Sequence, residues 1–242
     1  MPTALVTGGA VRVGRAIVLA LLEAGYRVHV HCNTSLDEAR ALLAEHPGGV
    51  ASVLQADLCD PSARARLAAG VGDRLDLLVN SAASYEKGDF AGRCDDDLRR
   101  VLELNLVAPL SLVRHCLPAL RAAEGSVINI VDLGGRHPWA GYLDHCVSKA
   151  ALETATRALA VELAPLRVNA VAPGTVSWPA DDRAGPGSQA RARLLAKVPR
   201  GRIGSPHDVA DAVRFLASAP HISGHTLVVD GGSLAGVGGS HA

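Results

Sequence analysis

His145 and Lys149 are two residues of this chain whose types and spacing suit acid–base chemistry. His145 and Lys149 stand four apart in the run His-Cys-Val-Ser-Lys. On a helix that spacing puts both side chains on one face, with Cβ atoms about 5–6 Å apart. Histidine is the side chain most often used as a general acid. An ammonium group beside it disfavours the imidazolium form, and a carboxylate favours it. Lys87 and Lys197 are the other lysines of an arginine-rich chain, so Lys149 reads as a site residue rather than a solvated helix lysine.

A second constellation suits a phosphate ligand. Thr7-Gly8-Gly9-Ala10-Val11-Arg12-Val13-Gly14 follows the apolar run Ala4-Leu5-Val6 and precedes an Ala/Leu-rich helical stretch. Glycine at such a junction lets the backbone turn tightly and approach a pyrophosphate, which is held by the free N–H groups of the helix that follows. Asp57-Leu58 and Asn80-Ser81-Ala82 close two further apolar runs, so they reach the same crevice. The run 27–32 ends in His31-Cys32-Asn33-Thr34-Ser35, which offers donors and no carboxylate to bind a ribose 2′-hydroxyl. With Arg12 and His31 expected to add positive charge nearby, NADP(H) is favoured over NAD(H).

These residues need a scaffold, and the chain supplies an alternating one. Strands are expected at 4–7, 27–32, 50–55, 75–79, 126–131, 166–171 and 225–229. Helices are expected at 13–24, 35–45, 61–70, 94–122, 142–164 and 206–218. Wholly apolar short runs such as 75–79 suit strands covered on both faces. The expected fold is a single α/β domain over 1–242: a doubly wound parallel sheet of about seven strands with helices on both faces. The polar segment 83–93 and the Pro/Gly-containing segment 174–189, which precedes a basic helix at 190–197, are placed to cover the crevice. Residues around 175–200 are read as a substrate lid.

Composition removes other classes. The chain has 24 basic and 24 acidic residues and no run of one sign, so no nucleic-acid or lipid-surface partner is expected. Cys32, Cys59, Cys94, Cys116 and Cys146 are scattered and form no CxxC pair, so they are read as small core residues, with no metal site. With a strand starting at Ala4 and no apolar run near 18 residues, neither a signal peptide nor a membrane span is expected, and the location is expected to be cytoplasmic.

Taken together, the glycine turn, Asp57-Leu58, Asn80-Ser81-Ala82, Asn105, Pro173-Gly174 and Val229-Asp230-Gly231-Gly232 resemble the short-chain dehydrogenase/reductase family over nearly the whole chain. The resemblance implies a Rossmann fold, a nicotinamide dinucleotide and a homotetramer. It extends the expected cofactor contacts to Gly8, Arg12, Val13, Gly14, Asn33, Thr34, Ser35, Asp57, Leu58, Asn80, Ser81, Ala82, Lys149, Pro173, Gly174 and Thr175. It also implies a tyrosine four residues before Lys149 as proton donor, with Asn105 among the catalytic residues. Here His145 occupies the tyrosine position.

Arg12 at the middle glycine of the turn, with Asp132 at the usual serine position, looks like the pteridine reductase branch. That likeness implies a pterin slot bounded by Arg12, Ser84, Tyr85, Asp132 and Tyr142, with Tyr85 stacked on one face of a planar heterocycle. Asp132 is then expected to be the principal proton donor or relay, with His145 orienting it or a water, and the rate to rise toward acidic pH. Two other readings compete: a 3-oxoacyl-type carbonyl reductase, and a nucleotide-binding or redox-sensing protein that has lost its acid. The apolar residues Val101, Leu102, Leu106, Leu110 and Val113 are expected to be association surface.

Overall fold

The computed structural model describes residues 1–178 and 188–236. Seven strands form one parallel sheet: β1 (Thr3–Val6), β2 (Arg27–Cys32), β3 (Val50–Gln55), β4 (Leu77–Asn80), β5 (Ser126–Ile130), β6 (Arg167–Pro173) and β7 (Thr226–Val229). Their order is β3-β2-β1-β4-β5-β6-β7. The order reverses between β1 and β4, where connections leave to opposite faces, and a crevice opens beyond the strand ends. Register fixes that edge: Val6 pairs with both Val30 and Val79, so three strands finish nearly level.

The sheet is apolar on both faces because both are covered. Ala4 and Val6 point to one side, against Ile17 and Leu21 of α1 (Arg12–Glu23) and Val213 and Leu216 of α8 (Pro206–Ser218). Leu5, between them, points to the other, against Leu112 and Leu120 of α5 (Ala108–Ala123). Each such leucine, fully buried, stabilises the fold by about 1.5–3 kcal/mol. The remaining helices are α2 (Leu36–Glu45), α3 (Pro61–Ala69), α4 (Asp95–Leu102), α6 (Leu143–Glu162) and α7 (Gln189–Leu195). Local chemistry sets some of their starts. Asp60 accepts from the Ser62 N–H before α3, and Ser205 and Asp208 form a reciprocal capping box before α8.

Several expectations need correction. The stretch 94–122 is not one helix: a π-helical turn at Glu103–Val107 separates α4 from α5. The fourth strand starts two residues later than expected; Leu75 is buried, but its N–H donates to the Ala119 carbonyl outside the sheet. Val101 and Val113 are core residues at 2% and 3% exposure, so they offer no association surface; Leu102, Leu106 and Leu110 are half-buried. Cys94 is exposed at the start of α4 and Cys59 is half-buried, so only Cys32, Cys116 and Cys146 are core cysteines.

The two segments over the crevice differ. Segment 83–93 is tied down by Gly88 N–H to the Gly141 carbonyl (2.9 Å) and by Arg93 to Asp144 (2.8 Å). In the expected lid, Pro179, Gly185, Pro186 and Gly187 lie outside the described residues. No helix among those described is long and apolar enough to cross a membrane, and no cluster of His, Cys, Asp or Glu among them could hold a metal ion.

Candidate active site

The glycine turn between β1 and α1 is built by close backbone approach. A Cβ on Gly14 would sit 2.0 Å from the Gly8 carbonyl oxygen, and Gly8 itself has φ +63°. Thr7 Oγ1 accepts from the N–H groups of Ser81 (2.9 Å) and Ala82 (3.0 Å), fastening the end of β4 to the end of β1. No side chain caps the start of α1, which leaves first-turn amides open to a phosphate. Arg12 adopts φ +52°, a left-handed conformation that costs a non-glycine residue about 1–2 kcal/mol.

His31 sits beneath this turn. Its Nδ1 accepts from the Gly8 N–H (3.1 Å) and its Nε2 lies 3.1 Å from the Ala56 carbonyl. That pairing requires the neutral ring with hydrogen on Nε2, and burial depresses its pKa further. His31 is therefore a structural tie and adds no positive charge. The positive charge expected of His31 is thus withdrawn. The exposed Arg12 guanidinium lies 3.4 Å from Ser177 Oγ.

Around the ends of β2 and β3, Asn33, Gln55, Ala56, Asp57, Arg66 and Leu67 help line a cavity of about 510 Å³. Asn33 and Thr34 are exposed and Ser35 half-buried. Asp57 turns back to accept from the Cys59 N–H (2.9 Å). Leu58 is buried, its carbonyl taken by Arg64 (2.7 Å). Asn80 directs its amide to Asn129 (2.9 Å), so its side chain links β4 to β5. Val13 packs against the core cluster behind α1. At the far side, Gly174 donates to Val229 (2.9 Å), a Cβ there would lie 2.9 Å from Asp230 Cα, and the Thr175 carbonyl accepts from Gly204 (2.9 Å). These cramped turns and uncapped amides fit a dinucleotide across the strand ends.

Proton chemistry gathers at the start of α6. Asp132, two residues past the end of β5, accepts from the Gly134 N–H through Oδ1 (2.7 Å) and presents Oδ2 3.5 Å from His145 Nε2. Lys149 Nζ donates to the Ile130 carbonyl (2.7 Å). Burial lowers the Lys149 pKa to about 8, against an opposing pull from the Asp132 carboxylate. Asn105 is fully buried and holds both ends of the Ser84 peptide: its Oδ1 accepts from the Ser84 N–H (2.8 Å) and its Nδ2 donates to the Ser84 carbonyl (3.0 Å).

Tyr85 stacks on Tyr142 with centroids 4.6 Å apart and meets the His145 ring edgewise at 4.8 Å. One Tyr85 face is therefore occupied by Tyr142, so only the opposite face is open to a heterocycle. Burial, then the Tyr142 phenol, raises the Tyr85 pKa and keeps its hydroxyl neutral. Sequence reading missed three neighbours: Trp139, 6.4 Å from Tyr142; Trp178, under the Arg191 guanidinium; and Ser148, which receives a bond from Asn105. Scarcity was the available signal for the tryptophans, because the chain has only two Trp, three Tyr and two Phe.

A family model described as enoyl-(acyl carrier protein) reductase matches residues 9–233. The chain belongs to the short-chain dehydrogenase/reductase family. Relatives align nearly end to end. L-xylulose reductase of Bos taurus is 34% identical over 96% of each chain. The 3-oxoacyl-acyl-carrier-protein reductase FabG of Aggregatibacter actinomycetemcomitans is 33% identical over 95% of this chain and 98% of its own. Protein FixR of Bradyrhizobium diazoefficiens is 35% identical over 94% of this chain and 85% of its own. As a short-chain dehydrogenase/reductase the protein is an oxidoreductase of small molecules that uses a nicotinamide dinucleotide.

Proposed function

We propose that the protein is an NADPH-dependent reductase of a planar heterocycle, a pterin or dihydropterin. The observation that carries this reading is the Asp132–His145 pair, 3.5 Å apart, beside the stacked Tyr85 and Tyr142 rings. A flat, nitrogen-rich substrate can use an aromatic wall and a proton donor in one plane, whereas a flexible acyl chain gains little from either. A bound dihydronicotinamide supplies the hydride. Lys149 would hold the ribose, Arg12 would face the pyrophosphate, and Asp132 with His145 would provide the proton. Asn33, Thr34 and Ser35 are the donors available to a 2′-phosphate, while Asp37 and Glu38 follow in the first turn of α2. The NADPH preference is for that reason tested together with the substrate.

Residues 175–200 act as the substrate lid in this reading, supported by the Arg12–Ser177 contact and by Arg191 lying 4.4 Å over Trp178. Assembly as a homotetramer follows the family; the exposed Leu143 and Val147 of α6 are apolar surface for it. The deciding experiment mixes the protein with NADPH or NADH and dihydrobiopterin, dihydrofolate or a 3-oxoacyl thioester, and follows loss of nicotinamide absorbance. Turnover of the pterins with NADPH supports the proposal. Turnover of the thioester alone establishes the second reading, which the name of the FabG relative favours. Cofactor binding without turnover of any substrate defeats both.

A further inference from the structure

His145 Nδ1 lies 3.0 Å from the Ser84 carbonyl oxygen. A carbonyl can only accept, so Nδ1 must carry a hydrogen. In a neutral ring that leaves Nε2 as a bare lone pair. Nε2 is buried and has no hydrogen-bond partner, and 3.5 Å away it faces Asp132 Oδ2, another acceptor when ionised. Two facing lone pairs, largely shut off from water, are costly, and one proton between them removes the conflict. Asp132 cannot easily turn aside, because its other oxygen is held by the Gly134 N–H at 2.7 Å.

We propose that Asp132 and His145 hold one shared proton and together form the acid of the reaction, with Asn105 and Ser84 as the positioning residues that fix the required tautomer. The proposal rests on the reductase reading above and names the proton source for it. The tautomer is locked from behind. Asn105 bonds both the N–H and the carbonyl of Ser84, so the carbonyl that receives His145 Nδ1–H is held in place from behind. Asn105 also donates to Ser148 Oγ (3.0 Å), whose hydroxyl donates to the His145 carbonyl (2.7 Å), closing a ring of hydrogen bonds. The π-helical turn at Glu103–Val107 carries Asn105 into this position; such turns concentrate at functional sites. The other groups at the pair are Lys149, one turn along the same helix, and the Tyr85 ring edge.

With a dihydronicotinamide bound, which would supply hydride and be oxidised, the substrate carbon of a C=N bond would gain that hydride. The π pair becomes a lone pair on the substrate nitrogen, and that nitrogen takes the shared proton to give N–H. The substrate thus gains two electrons and two hydrogens. Asp132–His145 is left one proton short, as carboxylate and neutral imidazole, and is refilled from water.

The test is a ¹⁵N spectrum of the imidazole rings in the full chain labelled at histidine, with His145 assigned by its absence in His145→Phe. The wild-type ring should bear hydrogen on Nδ1, with an Nε2 shift displaced from that of a free lone pair. In Asp132→Asn the Nε2 shift should move while Nδ1 stays protonated. In Asn105→Ala the ring should show mixed tautomers, with kcat down about tenfold and KM unchanged, as expected for losing one hydrogen bond behind the acid. Both His145→Phe and Asp132→Asn should lower kcat by roughly 10²–10⁴-fold. A wild-type ring with hydrogen only on Nε2, or an Nε2 signal unmoved by Asp132→Asn, overturns the proposal without any assay. Failure of every pterin to react would instead strike the substrate reading and leave the spectra to judge the pair.

Discussion

The two halves of the crevice are built from different materials. The cradle side, beyond β1, β2 and β3, is made of backbone: Gly8 at φ +63°, Gly14 against the Gly8 carbonyl, and open amides at the start of α1. The proton side, beyond β4 and β5, is made of side chains: Asp132, His145, Asn105 and Lys149. A backbone site tolerates little variation, because adding one Cβ fills it. A side-chain site can be rewritten at single positions while the strand ends stay put. The division predicts that either side can be disabled without the other.

The largest effect should come from Asp132→Asn, which removes the shared proton but keeps an acceptor for the Gly134 N–H. The rate should fall roughly 10²–10⁴-fold, while the affinity for NADPH, read by quenching of protein fluorescence, stays within twofold. A parallel loss of cofactor affinity would erase the distinction between the halves. Gly14→Ala is the converse. A Cβ 2.0 Å from the Gly8 oxygen must displace backbone, at a cost of about 1–3 kcal/mol or more in stability. Cofactor affinity should collapse with it, whereas the His145 tautomer seen by ¹⁵N spectroscopy should remain.

Lys149 belongs to the proton side, and burial makes it expensive to the fold. Its pKa is lowered to about 8, so above that value the folded chain sheds a proton that the unfolded chain keeps up to about 10.4. Where the unfolded state binds more protons, stability rises with pH. Relative to Lys149→Met, the wild-type protein should therefore gain on the order of 2 kcal/mol between pH 7 and 9.5. Urea denaturation of both proteins at the two pH values measures it, and a constant difference would mean that the amine is not desolvated.

The same contrast explains what could be read from sequence. Gly8 and Gly14 betray the cradle because glycine is required there, and strand ends such as Asp57 and Asn80 follow from apolar runs that stop. The His145–Lys149 spacing was visible for an equally local reason. The tie from Asn105 to Ser84 was not, since a π-helical turn inserts one residue into a stretch whose apolar periodicity still reads as a single helix over 94–122. Nor could spacing show that Arg12 bends toward Ser177, or that His31 turns under the glycine loop as an acceptor. Those outcomes depend on contacts between segments 165 and 23 residues apart in sequence.

His31 gives the smallest effect and the one most specific to the cradle. It is 2% exposed, and its Nδ1 must stay unprotonated to receive the Gly8 N–H. Burial holds its pKa below the ordinary value of about 6.5, so as pH falls the unfolded chain takes up the proton first. The stability His31 provides is therefore complete above about pH 6.5 and drains away below it, at no more than ~1.4 kcal/mol per pH unit. His29, also held down by burial, contributes with the same sign. Thermal melts from pH 7.5 to 5 should accordingly show a fall in Tm that His31→Gln reduces without abolishing. NADPH affinity should weaken over the same range in the wild type and not in the variant, because protonated His31 can no longer hold the Gly8 amide in place. Identical pH profiles for the two proteins would show that the turn keeps its shape without the histidine.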